Sequence, residues 1–403
     1  MKTELITKEI ARAAEIVAGG GLVAVPTETV YGLGGSGLDE AAVRNIYEVK
    51  GRPEVKPLSL MVPGKEAMSI YCQDVPAAAE ALADKFWPGP LTIILKSKDI
   101  VPEIVRAGGT TIGLRCPDHP QTLALLRECA LPLAAPSANP SGEPSPKTAE
   151  KVMEYFDGSI DAVIDGGQCG IGLESTIIDM SSAPYKILRQ GALPESEIAR
   201  ALADSMEIVG ITGGSGCGKT TALNVLKDMG ALIVDADEVY HTLCRESAEM
   251  RQELEERFGN VYKNETLDRK ALGAVVFSSP EALKDLSRIT HKYVSAEMAD
   301  RLERHAMSGG KLAAIDAIAL LDGSFAKRTV FNVAITAPTE DRVQRLLKRE
   351  GITEEYARNR IAAQHPNEYF EENCDYTLHN GGSREEFESV CKKFFTEVLK
   401  NVR

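Results

Sequence analysis

Apolar and polar positions alternate in two rhythms along most of this chain. Apolar residues at helical spacing predict helices over 7–18, 40–50, 195–203, 221–229 and 338–350. Short apolar runs, bounded by glycine, proline or charge, predict strands over 22–25, 58–61, 92–95, 112–114, 133–135, 162–164, 177–178, 207–212 and 231–234. Helices interleaved with strands in this way argue for α/β architecture, with helices packed on a sheet. The chain has 403 residues, 43% of them hydrophobic, which suits two or three ordinary globular domains. One series closes near residues 191–203 with a Gly/Pro turn and a short helix, and the strand at Glu207 opens another. The expected domains are therefore 1–204 and 205–403, joined by a short linker that is not rich in Gly or Ser.

The second series opens with a phosphate-binding loop between a predicted strand and a predicted helix. Gly213, Gly214, Ser215, Gly216, Cys217, Gly218, Lys219 and Thr220 supply the pattern, with Thr221 following. Glycines let backbone N–H groups converge on a phosphate, and the helix N-terminus adds positive potential. Lys219 brings a mobile charge for the β and γ phosphates, and Thr220 a hydroxyl for Mg²⁺. The loop is expected to bind ATP, since neither an N-K-x-D run nor a D-x-x-G switch for a GTPase is found. The next strand ends in Asp235-Ala236-Asp237, which offers a metal ligand (Asp235) and a general base (Asp237). The structural alternative has Asp237 capping a helix over 238–243. Further on, Arg342, Arg345 and Arg349 share one helix, and Arg360 and Gln364 follow on the next. Arg345 and Arg349 are helical neighbours of like charge, an arrangement suited to an anion and to a lid closing over ATP. Pairing with Glu340, Glu350 or Glu354 is the alternative.

The first half has no second Gly-rich loop, so side chains would have to hold any phosphate. Polar residues gather where its strands end: Thr29 in the hydroxyl-rich 26–32 run, then Lys50, Arg52 and Lys56, Arg115, Ser137 and Asn139, Glu174 and Ser175, and Arg189. Each has a plain alternative, such as a solvated helix end, a turn or a surface ion pair. As a set they pair cations with hydroxyls where open α/β sheets bind ligands.

Those residues carry a family resemblance. The stretches VPTETVYGLG, KGRPEVKPLSL, WPGPLT, LRCPDHP, APSANPSG, ESTIID and ILRQGALP follow in order, and the first half resembles the YrdC-like threonylcarbamoyl-AMP synthases. The resemblance implies a twisted mixed sheet with flanking helices. It implies a reaction of L-threonine, bicarbonate and ATP giving threonylcarbamoyl-AMP and pyrophosphate, the adenylate passing to a tRNA threonylcarbamoyl transferase. It places Lys50, Arg52, Lys56, Thr111, Ser137, Asn139, Ser145 and Arg189 on ATP, with Lys50 and Arg52 catalytic, and Thr29, Arg115 and Ser175 on threonine. Met61 departs from the histidine of several relatives. The alternatives are carbamoyl-adenylate chemistry and a non-catalytic nucleotide-binding module.

The second half, with TGGSGCGKTT, VDADEV, LDR, VF, Thr290-His291, RLLKRE and AAQ in order, is similar to the dephospho-CoA kinases. That likeness implies a parallel P-loop sheet with a helical lid and MgATP-dependent phosphorylation of the 3′-hydroxyl of dephospho-CoA. It makes Asp237 and Lys219 catalytic and Arg345 and Arg349 lid residues. The usual P-L-L-F-E segment reads differently over 317–322, and His291 is followed by Lys292, so another ribose-bearing acceptor is the alternative.

Charge and cysteine usage narrow the partners. Residues 1–204 carry 19 basic against 27 acidic side chains, a net of −8, and residues 205–403 carry 27 against 32, a net of −5. Neither half is basic, so extensive nucleic-acid binding is not expected. Eight cysteines without a C-x-x-C pair argue against a zinc site or a disulfide framework. The start lacks a leader pattern and no apolar run approaches membrane length, so a cytoplasmic protein is expected.

Overall fold

The computed structural model describes residues 2–317, 320–322 and 324–402. Two compact units divide the chain: Met1–Leu202 with Met307–Gly309, and Ala203–Ala306 with Gly310–Arg403.

The first unit is built on β1 (Glu4–Ile6), β2 (Val23–Val25), β3 (Gly32–Ser36), β4 (Ser59–Met61), β5 (Leu91–Lys96), β6 (Thr111–Arg115), β7 (Leu133–Ala134), β8 (Ala162–Ile164), β9 (Thr176–Asp179) and β10 (Lys186–Arg189). They form one ten-stranded mixed sheet in the order β1-β8-β2-β3-β7-β4-β6-β5-β9-β10. The parallel pair β4/β6 sets Met61 beside Arg115, and the parallel pair β5/β9 sets Leu91 beside Thr176. Residues from separate parts of the sequence thus reach the same region of the sheet. The Glu40–Lys50 helix begins where the Asp39 carboxylate accepts from the Ala41 N–H at 2.9 Å. It buries Val43, Ile46 and Tyr47 and ends on Lys50, which is also buried.

Strand β3, sequence GLGGS, is absent from the sequence-based expectation because its glycines read as a loop. All five residues are buried. A Cβ on Gly35 would lie 2.8 Å from Leu22 Cδ2, with Ile46 and Ala42 close behind, so glycine lets a helix settle directly on this strand.

The second unit contains β11 (Glu207–Thr212), β12 (Leu232–Asp235), a hairpin of β13 (Tyr262–Lys263) and β14 (Thr266–Leu267), β15 (Leu312–Asp316), β16 (Phe331–Thr336) and β17 (Tyr376–His379). Its main sheet runs β12-β15-β11-β16-β17, every pair parallel. The loop after central β11 therefore opens at the carboxyl edge of the sheet, beside the ends of β12 and β15. The Lys219–Asp228 helix and the Arg384–Val402 helix belong to the core on this sheet. The latter contributes Phe387, Cys391, Phe395 and Leu399, spaced by four to keep one face inward. A separate cluster of Met250, Leu254, Phe258, Leu272 and Ile289 holds together the helices between 236 and 307.

Phe395 is fully buried in the core of the second sheet. Phe395→Ala is expected to cost about 3–5 kcal/mol. Hydrogen exchange would show this as faster exchange of β11 and β16 amides, with β5 and β6 amides of the first unit unchanged. Equal acceleration in both units would contradict separate cores.

Candidate functional sites

Arg52, Arg115, Ser137, Ser175 and Arg189 line one cleft of about 180 Å³ in the first unit, together with Met61 and Glu174. Three guanidiniums therefore converge there from three different sheet edges or loops. Arg189 donates from Nε and Nη2 to the Ser175 carbonyl at 3.1 and 2.7 Å, and from Nη2 to Ser175 Oγ at 3.1 Å. The Ser175 hydroxyl is also 2.8 Å from that of Thr92. Arg52 donates to the carbonyls of Lys56 and Pro57 at 3.4 and 3.1 Å. Arg115, 7% exposed, donates from Nη2 to Glu28 Oε1 at 2.8 Å and to Thr29 Oγ1 at 2.7 Å. Its Nε is buried with no hydrogen-bond partner.

Lys50 does not line this cleft. Its ammonium donates to the carbonyls of Ser137 and Asn139, fixing the turn that carries both residues. Burial and the neighbouring Arg52 push its pKa down to about 8. Asn139 donates to the carbonyls of Pro140 and Glu143, while its Oδ1 is buried and unpartnered. Ser145 reaches the cleft indirectly by donating to Glu174 Oε1 at 2.8 Å. Lys56 is exposed on the following loop, and Thr111 opens β6 in register with Lys96. Thr111 is four residues from Arg115, roughly 13 Å along the strand, and neither it nor Lys56 lines the cleft. Glu28, which anchors Arg115, lay inside the hydroxyl-rich run, but nothing in its spacing separates it from a solvated carboxylate.

A larger cleft, about 570 Å³, opens over the glycine-rich loop of the second unit. Gly214, Ser215, Gly216, Gly218, Lys219, Thr220 and Thr221 line it with Asp235, Asp237, Asp316, Arg345 and Arg349. Gly213 and Cys217 complete the loop from behind, the Cys217 thiol being buried. Gly218 has φ of 104°, and a Cβ there would strike Asn380 Nδ2 at 2.2 Å, so only glycine lets the loop lie this close to 380.

The loop is held from outside by side chains of the C-terminal helices. Arg342, 3% exposed, donates from Nε to the Ser215 carbonyl at 2.9 Å. Gln364 accepts from the Ser215 N–H at 2.8 Å and donates to its hydroxyl at 2.9 Å. Arg345 faces the carbonyls of Gly216, Cys217 and Asn380 at 3.3, 3.4 and 3.1 Å. Arg345 thus grips the loop, which differs from a free lid cation. Arg349 pairs with Glu350, which also accepts from Arg360 at 2.7 Å.

Asp235 caps the Ala236–Glu246 helix, accepting from the N–H groups of Asp237 and Glu238 at 2.9 and 3.1 Å. This corrects the structural alternative to a catalytic Asp237, which had Asp237 as the cap. The helix begins two residues earlier than the pattern indicated, and Asp237 lies within its first turn, on the cleft wall. Asp316 carries a signal that sequence reasoning passed over: an acidic residue ending an apolar strand. It is in register with Asp235 and 3.9 Å from Lys219 Nζ. Burial pushes its pKa up to about 6; Lys219 opposes the shift and the charges of Asp235 and Asp237 add to it. Of the altered segment 317–322, Ile318, Ala319 and the Asp322 side chain lie outside the described residues.

Among the described residues no three His, Cys, Asp or Glu side chains form a ready-made metal cage. Mg²⁺ needs none, being held by one or two carboxylates plus substrate phosphates and water. The Thr220 hydroxyl and the carboxylates of Asp235 and Asp316, all on the cleft wall, fit that donor set.

Comparison with known proteins separates the halves in the same way. The Sua5/YciO/YrdC family model, described as telomere recombination, matches residues 15–191, and the dephospho-CoA kinase model matches 207–386. The first half is 45% identical to a threonylcarbamoyl-AMP synthase of Pyrococcus abyssi, over 48% of this chain and 56% of that protein. It is 38% identical to a putative threonylcarbamoyl-AMP synthase of Methanocaldococcus jannaschii, over 49% of this chain and 89% of that protein. The second half is 34% identical to a dephospho-CoA kinase of Corynebacterium glutamicum, over 48% of this chain and 98% of that protein. The chain spans about half the length of the first synthase relatives it matches. Among the described residues no helix is long and apolar enough to cross a membrane.

Two expectations follow from these contacts. Asp235→Ala should lower stability by about 1 kcal/mol through loss of the cap, while Asp235→Asn should stay within a few tenths, as read by urea unfolding; equal losses would deny the cap. Lys50 holds fewer protons in the folded chain than in the unfolded chain between pH about 8 and its ordinary 10.5. Across that window the wild-type protein should gain stability relative to Lys50→Met as pH rises. A pH-independent difference would show that Lys50 is not held against its charge.

Proposed function

Because this chain belongs to the threonylcarbamoyl-AMP synthase family over its first half and to the dephospho-CoA kinase family over its second, we propose that it is a bifunctional enzyme carrying both activities. The first unit joins L-threonine, bicarbonate and ATP into threonylcarbamoyl-AMP. The second transfers the γ-phosphoryl group of ATP to the 3′-hydroxyl of dephospho-CoA.

The observation that supports the first reading is the convergence of Arg52, Arg115 and Arg189 on one cleft without a glycine-rich loop. In this reaction bicarbonate takes up a proton and loses water to give CO₂, to which the threonine amine adds with loss of a proton. The carbamate oxygen then attacks the α-phosphorus, and pyrophosphate leaves. Arg52 and Arg189 neutralise the phosphates, and Arg115 holds the threonine carboxylate. Lys50 acts by fixing the Ser137–Asn139 turn, with Ser137 facing ATP. Catalysis of this kind rests on positioning and charge neutralisation.

For the second unit, the loop over 213–220 lies beside Asp237 on one cleft wall. Asp237 accepts the acceptor's hydroxyl proton, Lys219 follows the transferred phosphoryl group, and Arg349 and Arg360 face the phosphates. Thr220, Asp235 and Asp316 would hold Mg²⁺, which would supply charge neutralisation at the phosphates. We place the protein in the cytoplasm, a reading that the eight unpaired cysteines favour, and assign the adenylate product to a tRNA-modifying transferase.

Point variants separate the two reactions. Lys219→Ala should abolish ADP formation from dephospho-CoA and leave threonine-dependent pyrophosphate release near normal, and Arg52→Ala should do the reverse. A folded Lys219→Ala protein that has lost both reactions would refute the two-site reading.

A further inference from the structure

The cleft of the first unit holds one carboxylate among its guanidiniums. Glu174 is the single Asp or Glu among the residues that line it, against Arg52, Arg115 and Arg189. An amino acid enters such a site as a zwitterion. Arg115 lines the cleft and offers its guanidinium to the carboxylate end. Glu28 balances Arg115, but an ammonium beside Arg52 and Arg189, which rest on backbone carbonyls, would be repelled without an anion in the cleft.

Glu174 is built to be that anion. Its Oε1 accepts the Ser145 hydroxyl at 2.8 Å, which fixes the side chain. The same hydrogen bond, with smaller help from its own backbone N–H, Arg189 and Lys147, keeps the carboxyl below its usual range and therefore ionised. The following residue is Ser175, whose hydroxyl is tied to Thr92 and Arg189 on the same wall. The carboxylate thus stands on a rigid strand entry, beside the cationic groups it complements.

We propose that Glu174 receives the ammonium group of the amino-acid substrate and so determines the preference of this site for an amine over the corresponding hydroxy acid. The assignment rests on the threonine-activating reading of the cleft. It concerns binding alone and involves no bond made or broken.

Titration calorimetry on the full chain tests it, with three probes: L-threonine, its analogue bearing a hydroxyl in place of the amine, and ATP. Glu174→Gln should weaken threonine about 10- to 100-fold, the size of a lost charge-assisted hydrogen bond, and leave ATP within about two-fold. The analogue should change little, so the preference for the amine shrinks by the same factor. Glu174→Asp, which keeps the charge, should retain most of that preference. A purely structural role would weaken both acids together. An unchanged preference, or equal loss in Glu174→Asp and Glu174→Gln, overturns the assignment. So does ATP weakening in parallel, which would put the carboxylate on the phosphate or magnesium side. Wild-type protein that binds threonine with this preference but releases no threonine-dependent pyrophosphate would leave the assignment standing and remove the synthase reading.

Discussion

Several site cations in both units are held by backbone carbonyl oxygens, whereas Arg115 rests on the Glu28 carboxylate. Lys50 rests on the carbonyls of Ser137 and Asn139, Arg189 on that of Ser175, Arg342 on that of Ser215, and Arg345 on those of Gly216, Cys217 and Asn380. A carbonyl satisfies the donor and fixes its geometry without cancelling its charge. A carboxylate in the same place would form an ion pair and leave little field for a triphosphate. The arrangement is costly, since a desolvated cation without a counter-ion is unfavourable, as the depressed pKa of Lys50 reflects. The sheets, which place strand ends side by side, make such a concentration of positive charge possible.

On the proposed reading, the two units meet the phosphate problem from opposite directions. In the second, the backbone itself forms the cradle, and side chains such as Arg342 and Gln364 serve to shape it. In the first, side chains form the cradle, and backbone carbonyls serve to shape them. The former depends on glycine at fixed positions, the latter on long cations with fixed rotamers. Carboxylates are few in the first unit's site, with Glu28 behind Arg115 and Glu174 on the wall, whereas Asp235, Asp237 and Asp316 all line the second cleft.

Much of this was legible in the order of residues. The Glu40–Lys50 helix and the strands Ala162–Ile164 and Glu207–Thr212 lie where the apolar spacing put them, because each carries its own stop signal in a cap, a glycine or a change of charge. The phosphate loop was complete in one contiguous run. What escaped was set by tertiary neighbours. Strand β3 is glycine-rich because a helix lies on it, and no local propensity reveals that. The 28-residue helix Pro280–Met307 buries few of its residues, so no apolar stripe marks it. The positions of Thr111 and Lys56 off the cleft wall, and of Lys50 beneath it, depend on where strands and loops end in space. Asp316 ends an apolar strand in the sequence, but its place beside Asp235 follows from the register of two strands far apart in sequence.

Two sheets with separate cores on one polypeptide have a consequence for the life of the molecule. Cellular quality control acts on chains, because a protease that engages an unfolded segment proceeds along the whole polypeptide. Loss of packing around Phe395, which opens only the second sheet, exposes the intact first unit to the same degradation. The two units are therefore made in equal number and share one lifetime, so on the proposed reading a core defect on one side becomes a deficiency in both activities.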